Sequence, residues 1–303
     1  MIDIIIPAYN AHETIIKTLA SIELQTVKDR VNVIIVDDHS KKKYNYLLEY
    51  FSDINIKIVR LDKNIGPGHA RERGIELSNN DYICFLDADD YLLNMFSLEI
   101  LLENIENNDI VAGLVVIESE NNEVDDVYIT EFDLHGKLFK SNYIKDNNFK
   151  FNDSKRSEDN SFYQLLRLGT DKYIEVNEEV ELYSHNKNSI TKKDKNYRIN
   201  ESKYLLDNII WLENEASKRK YDKSKISSVL SVFFSYFFLL YLENIKSNII
   251  KERLIKYIKL MEKYNKFMDY KTIFNRIDNI KKEYHSEVIY NTFLRNISRD
   301  LDR

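Results

Sequence analysis

The chain has 303 residues, 43% of them hydrophobic, which is enough to bury the core of one large domain or two smaller ones. This composition excludes a disordered chain, and the net charge of −6 argues against a general nucleic-acid binder. The one cysteine, Cys84, cannot form an internal disulfide. The first residues lack the basic segment and the apolar length of a signal peptide, so we expect a cytoplasmic protein.

The first ninety residues alternate short apolar runs with amphipathic stretches. Strands are predicted at residues 2–6, 31–36, 56–61 and 82–86, and helices at about 11–25, 42–51 and 68–78. This alternation predicts an α/β domain with a largely parallel sheet that helices cover on both faces. Because ligands of such sheets bind beyond the carboxyl ends of the strands, functional residues are expected there.

A polar motif follows each of the four predicted strands. Both prolines of the chain, and three of its six glycines, lie in this N-terminal region, which indicates shaped loops. Four strands thus direct their polar residues to one crevice. The four motifs are Pro7-Ala-Tyr-Asn10, Asp37-Asp-His-Ser40, Asn64-Ile-Gly-Pro-Gly68 and Asp87-Ala-Asp-Asp90.

Three carboxylates, Asp87, Asp89 and Asp90, follow the fourth strand. Carboxylates this close repel one another and raise each other's pKa unless a cation or dense hydrogen bonding keeps them ionised. Hard oxygen ligands in a chain without a Cys/His cluster favour Mg²⁺ or Mn²⁺ bridging to substrate phosphates. The alternative is an acidic turn that caps the next helix, and for this motif alone the alternative is the stronger interpretation.

Other residues of these motifs suit a nucleotide. Tyr9 offers an aromatic face for a nucleobase, and Asp37 or Asp38 could accept hydrogen bonds from the base or ribose. Arg71 could bind the nucleotide or its phosphates through its planar fork of donors. The structural alternatives are a turn with Asn10 as a helix N-cap, two acidic turn residues, and a solvated arginine on a helix face.

Taken in order, the four motifs resemble those of family 2 glycosyltransferases of the GT-A fold, which transfer a sugar from a nucleotide diphosphate to an acceptor. Ala70-Arg71 with Gly74 resembles the family's Ala-Arg-Asn-x-Gly pattern, with Glu72 in place of Asn. The resemblance covers roughly residues 1–190, and the ordered set is more specific than any single motif. A dinucleotide-dependent dehydrogenase would normally carry Gly-x-Gly-x-x-Gly after the first strand.

The resemblance implies a role for each motif. Asp87 and Asp89 form an Asp-x-Asp motif, with Asp89 as the direct metal ligand and Asp87 nearer the ribose. Asp159, supported by Glu158, is the general base that takes the acceptor's proton, which gives inversion in one displacement. The helix macrodipole alone also favours an acidic pair in a first helical turn. The implied nucleotide-binding residues are Pro7, Ala8, Tyr9, Asp37, Asp38, Asn64, Gly66, Arg71, Asp87, Ala88 and Ser189.

Two downstream segments extend the resemblance. His135-Gly-Lys-Leu-Phe139 resembles the family's approach to the acceptor, and residues 181–191 resemble its closing strand and loop, where His185 would complete the metal shell. Ser184 stands where the family usually has arginine, so neutralisation of the diphosphate rests more on the metal, on His185 and on nearby lysines. By itself, a lone histidine in a polar loop is more often solvated than bound to a metal.

From about residue 197 the pattern changes to long helices, which predicts a helical C-terminal domain (196–303) after the catalytic domain (1–195). Residues 226–242 carry no formal charge, but they fall short of the about twenty apolar residues that a membrane span needs, so a buried helix is preferred. Residues 249–261 are basic and amphipathic. Such a face could contact an anionic membrane or another copy of the chain, although a solvated face is its ordinary explanation.

We therefore predict an inverting glycosyltransferase that depends on Mn²⁺ or Mg²⁺. By the resemblance, its donor is a nucleotide sugar, with a UDP-sugar favoured, and its acceptor is a surface polysaccharide, lipopolysaccharide, teichoic acid, lipid-linked or glycoprotein precursor. The expected location is cytoplasmic, at the inner face of the membrane if the C-terminal helices contact it. The alternative from another class is a noncatalytic binding or assembly module. A nucleotidyltransferase is a third hypothesis, but its Gly-rich, basic loop does not follow the first strand.

Overall fold

The computed structural model describes residues 1–119, 121, 123–184, 197–280 and 286–301. The chain forms two compact units, Met1–Lys193 and Asp194–Arg303. The first is an α/β domain built on a nine-stranded sheet, and the described part of the second is helical. The domain boundary predicted between residues 195 and 196 lies outside the described residues.

The sheet of the first unit is mixed. The order of its strands is β3-β2-β1-β4-β8-β6-β9-β5, and β7 pairs with β6. The strands from β3 to β4 are parallel, as predicted for the first ninety residues. β8 runs antiparallel to both β4 and β6, while β9 is parallel to β6. The strands are β1 (Ile2–Ala8), β2 (Val31–Asp37), β3 (Asn55–Arg60), β4 (Tyr82–Phe85), β5 (Tyr91–Leu92), β6 (Ile110–Glu118), β7 (Val124–Tyr128), β8 (Lys137–Lys140) and β9 (Tyr173–Tyr183).

The helices of the first unit flank this sheet, and one of them is much shorter than predicted. The helix expected at 42–51 is limited to Leu47–Tyr50. Tyr44 is fully buried, and its hydroxyl accepts a hydrogen bond from the backbone N–H of Ala11 at 2.8 Å, which fixes the preceding chain outside a helix. The helices are α1 (Ile15–Glu23), α2 (Leu47–Tyr50), α3 (Pro67–Leu77), α4 (Ser97–Asn104), α5 (Ser141–Asp146) and α6 (Glu158–Gly169).

The strand β1 occupies the centre of the parallel half, between β2 and β4, and all seven of its residues are buried. An uninterrupted apolar run is typical of a strand covered on both faces. The helix α3 packs directly on this strand, because a Cβ at Gly74 would lie only 2.3 Å from Cγ2 of Ile5. This close approach sets the position of α3 and of Arg71 within it.

The described helices of the second unit pack around a core rich in phenylalanine. By length and composition alone, α8 could cross a membrane, but 61% of its most apolar 18-residue window is buried inside the structure. This burial agrees with the preferred interpretation of residues 226–242 as a core helix. Core helices of soluble proteins can also be long and apolar enough to cross a membrane. The helices are α7 (Tyr197–Lys218), α8 (Lys223–Glu243), α9 (Asn248–Met261), α10 (Tyr270–Ile280) and α11 (Ser286–Leu301).

Candidate active site

The end of β1 presents an aromatic ring. Pro7 and Ala8 are buried, whereas Tyr9 is 53% exposed, so its ring can be reached by a planar ligand. Asn10 has a left-handed backbone (φ 54°), and its side-chain oxygen accepts a hydrogen bond from the backbone N–H of Lys41 at 2.9 Å. The side chain of Asn10 therefore ties this turn to the loop after β2. The interpretation of Asn10 as an N-cap is wrong, because Thr14 occupies the N-cap position of α1. Base stacking on Tyr9 remains a prediction.

Asp37 is buried and builds the turn after β2. Its Oδ2 lies 2.5 Å from Nη1 of Arg60, and its Oδ1 accepts a hydrogen bond from the backbone N–H of Ser40 at 2.8 Å. Both carboxylate oxygens thus have partners within the protein. The structure favours the turn interpretation for Asp37, and a contact with the nucleotide stays a prediction.

Asp38 is also buried, and it fixes the Gly-rich loop before α3. Its two oxygens accept hydrogen bonds from the backbone N–H groups of Ile65 at 2.8 Å and Gly66 at 2.9 Å. Asn64 donates to the backbone oxygen of Asp38 at 3.2 Å. Gly66 has a φ of 98°, a conformation that side chains disfavour, which explains the glycine at this position. This arrangement determines where α3 begins.

Arg71 joins two parts of the site. It is buried, its Nη2 lies 2.6 Å from Oδ1 of Asp87, and its Nη1 lies 2.7 Å from Oε1 of Glu158. Burial lowers the pKa of Arg71, but the charges of Asp87 and Glu158 outweigh burial and raise it overall. The alternative of a solvated arginine on a helix face is therefore wrong. Two carboxylates already use the fork of donors that we predicted to bind the nucleotide.

The three aspartates after β4 differ in their surroundings. Burial tends to raise the pKa of Asp87, but the charges of Arg71 and His135 outweigh burial and lower it. The Asp87 side chain is 30% exposed, and Asp89 is partly exposed. Asp90 is buried, and its pKa is raised well above the usual range by burial, against the opposing charge of His135. Asp87 therefore combines ionisation with access from solvent, while Ala88 between these residues is buried.

His135 is a member of this cluster that the sequence analysis had not assigned to a metal. Its Nδ1 lies 2.6 Å from Oε1 of Glu181 and 3.6 Å from Oδ2 of Asp90. Burial lowers the pKa of His135, but the charges of Asp133 and Glu181 outweigh burial, and the pKa is raised well above its usual value. Without a metal ion, the surroundings thus favour a protonated His135 imidazole beside the aspartates after β4, and coordination of a metal by this ring would require loss of its proton.

The described residues include one group suited to a metal ion. Asp87, Asp90 and His135 offer ligand atoms that all lie within 4.8 Å of one another. Carboxylate oxygens suit Mg²⁺ or Mn²⁺, so the donor set fits the predicted cofactor. The predicted ligands were Asp87, Asp89 and His185. Asp87 lies in this group and Asp89 does not, while His185 lies outside the described residues, as does Ser189.

The segment of residues 135–139, which resembles the family's approach to the acceptor, begins at the His135 of this cluster and continues into β8. Lys137 is fully buried, and its Nζ donates to Oγ1 of Thr130 at 2.5 Å and to the backbone oxygen of His135 at 2.9 Å. Burial lowers the pKa of Lys137 to about 8, although the charges of Asp133 and Glu181 oppose this change. Lys137 therefore stabilises the backbone that carries His135. A contact of this segment with the acceptor stays a prediction.

The acidic residues Glu158 and Asp159, predicted to supply the general base, lie in the first turn of α6, as the sequence indicated. Burial, together with the charge of Asp159, raises the pKa of Glu158 to about 7 against the opposing charge of Arg71. Burial also raises the pKa of the half-buried Asp159, to which the charges of Asp133 and Asp87 add while Arg71 opposes them. Asp87 and Asp159 are thus close enough to influence each other's charge although 72 positions separate them in the sequence. A carboxylate with a raised pKa suits a general base.

The model of the family described as Glycosyl transferase family 2 matches residues 3–165, from β1 to the middle of α6. This match covers more than half of the chain. The chain belongs to glycosyl transferase family 2. The matched residues of the chain include the four motifs at the strand ends, Arg71 and the Glu158-Asp159 pair, all of which the structure brings to one edge of the sheet.

Among relatives of this chain is the poly(ribitol-phosphate) beta-N-acetylglucosaminyltransferase TarP of Staphylococcus aureus strain N315. The two are 26% identical over 204 residues, which cover 60% of this chain and 62% of TarP. In three curated relatives, the matched stretch spans only 15 to 62% of the relative's own length.

Solved structures show the fold. S. aureus TarS 1-349 in complex with UDP-GlcNAc superimposes with a TM-score of 0.73 at 18% identity, over 99% of this chain and 92% of that one. The mannosyltransferase PcManGT from Pyrobaculum calidifontis, in complex with GDP-Man and Mn²⁺, gives a TM-score of 0.55 at 14% identity, over 93% and 87%. The predicted GT-A fold with a helical C-terminal region is thereby confirmed. The sheet is mixed rather than largely parallel as predicted, because β5, β7 and β8 pair antiparallel with their neighbours.

Proposed function

We propose that this protein is an inverting, metal-dependent glycosyltransferase that moves a hexosyl or N-acetylhexosaminyl group from a UDP-sugar to a hydroxyl group of a teichoic acid or another cell-surface glycan. The observation that carries the proposal is the meeting of Asp87, after β4, with Glu158 and Asp159, at the start of α6, through Arg71. The poly(ribitol-phosphate) acceptor of TarP supports the proposed acceptor, and the UDP-GlcNAc bound to TarS supports the proposed donor.

The strand ends would hold the nucleotide. The exposed ring of Tyr9 stacks against the base, while the loop that Asp38 fixes bounds the pocket. Asp87 and Asp89 would hold a divalent cation with the help of Asp90 or His135, and PcManGT supports Mn²⁺ as the candidate. When bound, such a cation would neutralise the negative charge that develops on the departing diphosphate.

Asp159 would perform the proton transfer. The acceptor oxygen forms a bond to the anomeric carbon while the bond from that carbon to the diphosphate oxygen breaks, and the acceptor's proton passes to the Asp159 carboxylate. UDP leaves with the electron pair of the broken bond. Because one displacement completes the reaction, the anomeric configuration is inverted and no covalent intermediate with the protein is needed.

The variant Asp159→Asn tests this proposal. With UDP-GlcNAc, Mn²⁺ and poly(ribitol phosphate), we expect turnover to fall by about 10²- to 10⁴-fold, because a general base contributes about that much. UDP binding, measured by thermal shift, should be retained, since Asn has the size of Asp and the base does not hold the nucleotide. Asp153→Asn is the matched control, because Asp153 is 95% exposed.

The outcome also separates the enzyme from a noncatalytic module. Unchanged turnover in Asp159→Asn would contradict the assigned base. If the unaltered protein binds UDP but shows no turnover with any nucleotide sugar or acceptor in a panel, the module becomes the better explanation. A panel of UDP-, GDP- and dTDP-sugars in the same thermal-shift assay identifies the donor, because the preferred donor stabilises the native state most.

A further inference from the structure

Of the two carboxylates that Arg71 contacts, that of Glu158 is almost completely shielded from solvent, as is Arg71 itself. The side chains of Arg71 and Glu158 are 5% and 3% exposed, and their closest nitrogen and oxygen atoms are 2.7 Å apart. A charge buried to this degree is strongly destabilising when its partner is removed. Arg71 therefore holds Glu158 in one place, and through its other nitrogen it holds Asp87 at 2.6 Å.

A glycine makes this contact possible. Gly68 lies one turn before Arg71 in α3, and a Cβ there would lie 2.6 Å from Cγ of Glu158 and 3.4 Å from Cβ of Phe151. The start of α6 thus lies against the first turn of α3 with no room for a further carbon atom. Because Asp159 is the next residue of α6, the place of Glu158 determines the place of the proposed base.

We infer that Arg71 and Glu158 are positioning residues that couple ligand binding at Asp87 to the placement of Asp159. The inference rests on the proposed function, and it differs from the earlier assignments of Arg71 as a nucleotide ligand and of Glu158 as a support for the base. A ligand that draws on the Asp87 carboxylate changes the charge that Arg71 experiences, and Arg71 is in direct contact with Glu158. Because Arg71 contacts both carboxylates, a change at Glu158 should in turn alter the binding of a ligand at Asp87.

The variant Glu158→Gln tests the coupling in the full-length protein. It keeps the size of the side chain and removes its charge. We expect UDP affinity in the presence of Mn²⁺, measured by calorimetry without turnover, to change by roughly 5- to 50-fold. UDP affinity without the metal should change less, and kcat should fall as well. If kcat falls while metal-dependent UDP affinity is unchanged, Glu158 acts on the base alone and the inference is wrong.

Gly68→Ala provides a second test that alters no charge. The added methyl group displaces Glu158, so UDP affinity with Mn²⁺ and kcat should change in the same direction as in Glu158→Gln. Arg73→Ala is the matched control on the same helix, because Arg73 is 44% exposed and forms an ion pair with Glu76 of the same helix at 2.7 Å. In this control, UDP affinity with Mn²⁺ and kcat should stay at the level of the unaltered protein. An equal change in Arg73→Ala would contradict the assignment of the effect to the contacts of Arg71 with Glu158 and Asp87.

A double-mutant cycle keeps the inference testable if either single variant is poorly stable. Arg71→Lys keeps the charge but loses the fork that reaches two carboxylates. If Arg71 and Glu158 act as one unit, the effects of Arg71→Lys and Glu158→Gln on UDP affinity are strongly non-additive. Additive effects would overturn the coupling. They would leave the proposed function intact, since that proposal is tested by the turnover of the unaltered protein and of Asp159→Asn.

Discussion

Two groups of acidic residues at the same edge of the sheet have opposite surroundings. After β2, the carboxylates of Asp37 and Asp38 are satisfied by Arg60 and by backbone N–H groups of the loop after β2 and of the Gly-rich loop before α3. After β4 and at the start of α6, Asp87 and Glu158 share the single guanidinium of Arg71, and burial raises the pKa of Asp90, Glu158 and Asp159. Aspartates at a strand end can therefore either build a turn, when the protein supplies partners for their carboxylates, or form a site that a bound cation would stabilise. The hydrogen-bond and ion-pair partners of the carboxylates distinguish the two cases.

Beyond the loss expected for Asp159→Asn, the largest effect concerns Asp89 of the second group. Asp89→Asn should lower turnover by about 10²- to 10³-fold at a fixed Mn²⁺ concentration, because it removes a charge that helps to stabilise the departing diphosphate. Thermal stability should not fall, because the charge of Asp89 raises the pKa of the buried Asp90 and its removal relieves that repulsion. UDP release and thermal unfolding measure the two effects. Lost stability with retained turnover would instead place Asp89 with the turn-building aspartates.

The opposite result is expected for Asp38→Ala. The variant leaves the backbone N–H groups of Ile65 and Gly66 without their acceptor, which should cost about 1–3 kcal/mol of the free energy of unfolding. Urea unfolding of the full-length protein measures this loss. Asp62→Ala is the control, because Asp62 is exposed in the same loop and its replacement should leave the stability unchanged within about 0.5 kcal/mol. A stable Asp38→Ala variant that has lost only UDP binding would remove the distinction between the two groups.

The parts of the fold that depend on local pattern could be predicted from the sequence. Apolar runs gave the four parallel strands, and the polar motifs at their ends gave the location of the site, because the carboxyl ends of parallel strands share one edge. The short α2 could not be predicted, since the burial of Tyr44 overrides a helical pattern of apolar residues. Local periodicity does not report such long-range contacts.

The partners of the charged residues could not be predicted for the same reason. Arg71 and Glu158 are separated by 87 positions, and their contact depends on the packing of α6 against Gly68. His135 approaches Asp90 because β8 enters the sheet beside β4, out of chain order. The His-Gly-Lys segment was visible as a motif, but only the topology shows that it lies beside the aspartates after β4.

The pH dependence of turnover sharpens the comparison further. Because only ionised Asp159 can accept a proton and its pKa is raised, turnover should fall on the acid side at a pH above the usual pKa of aspartate. Asp133→Asn should move this acid limb to lower pH, since the charge of Asp133 contributes to the raised pKa. The substitution keeps an Oδ1 acceptor for Thr130 and the backbone N–H of His135. Profiles of kcat/KM at saturating Mn²⁺ measure the shift, and a limb that moves to higher pH would contradict the assignment of Asp159.

The smallest expected effect lies at the uncharged end of β1. Tyr9→Ala should weaken UDP binding by about 0.5–1.5 kcal/mol, the range of an aromatic contact, which corresponds to roughly 2- to 12-fold in affinity. The free energy of unfolding should not change measurably, because Tyr9 is 53% exposed. Tyr9→Phe keeps the ring and should bind UDP as the unaltered protein does. An equal loss in both variants would assign the contribution to the hydroxyl group, and the uncharged strand end would then recognise UDP through a polar contact.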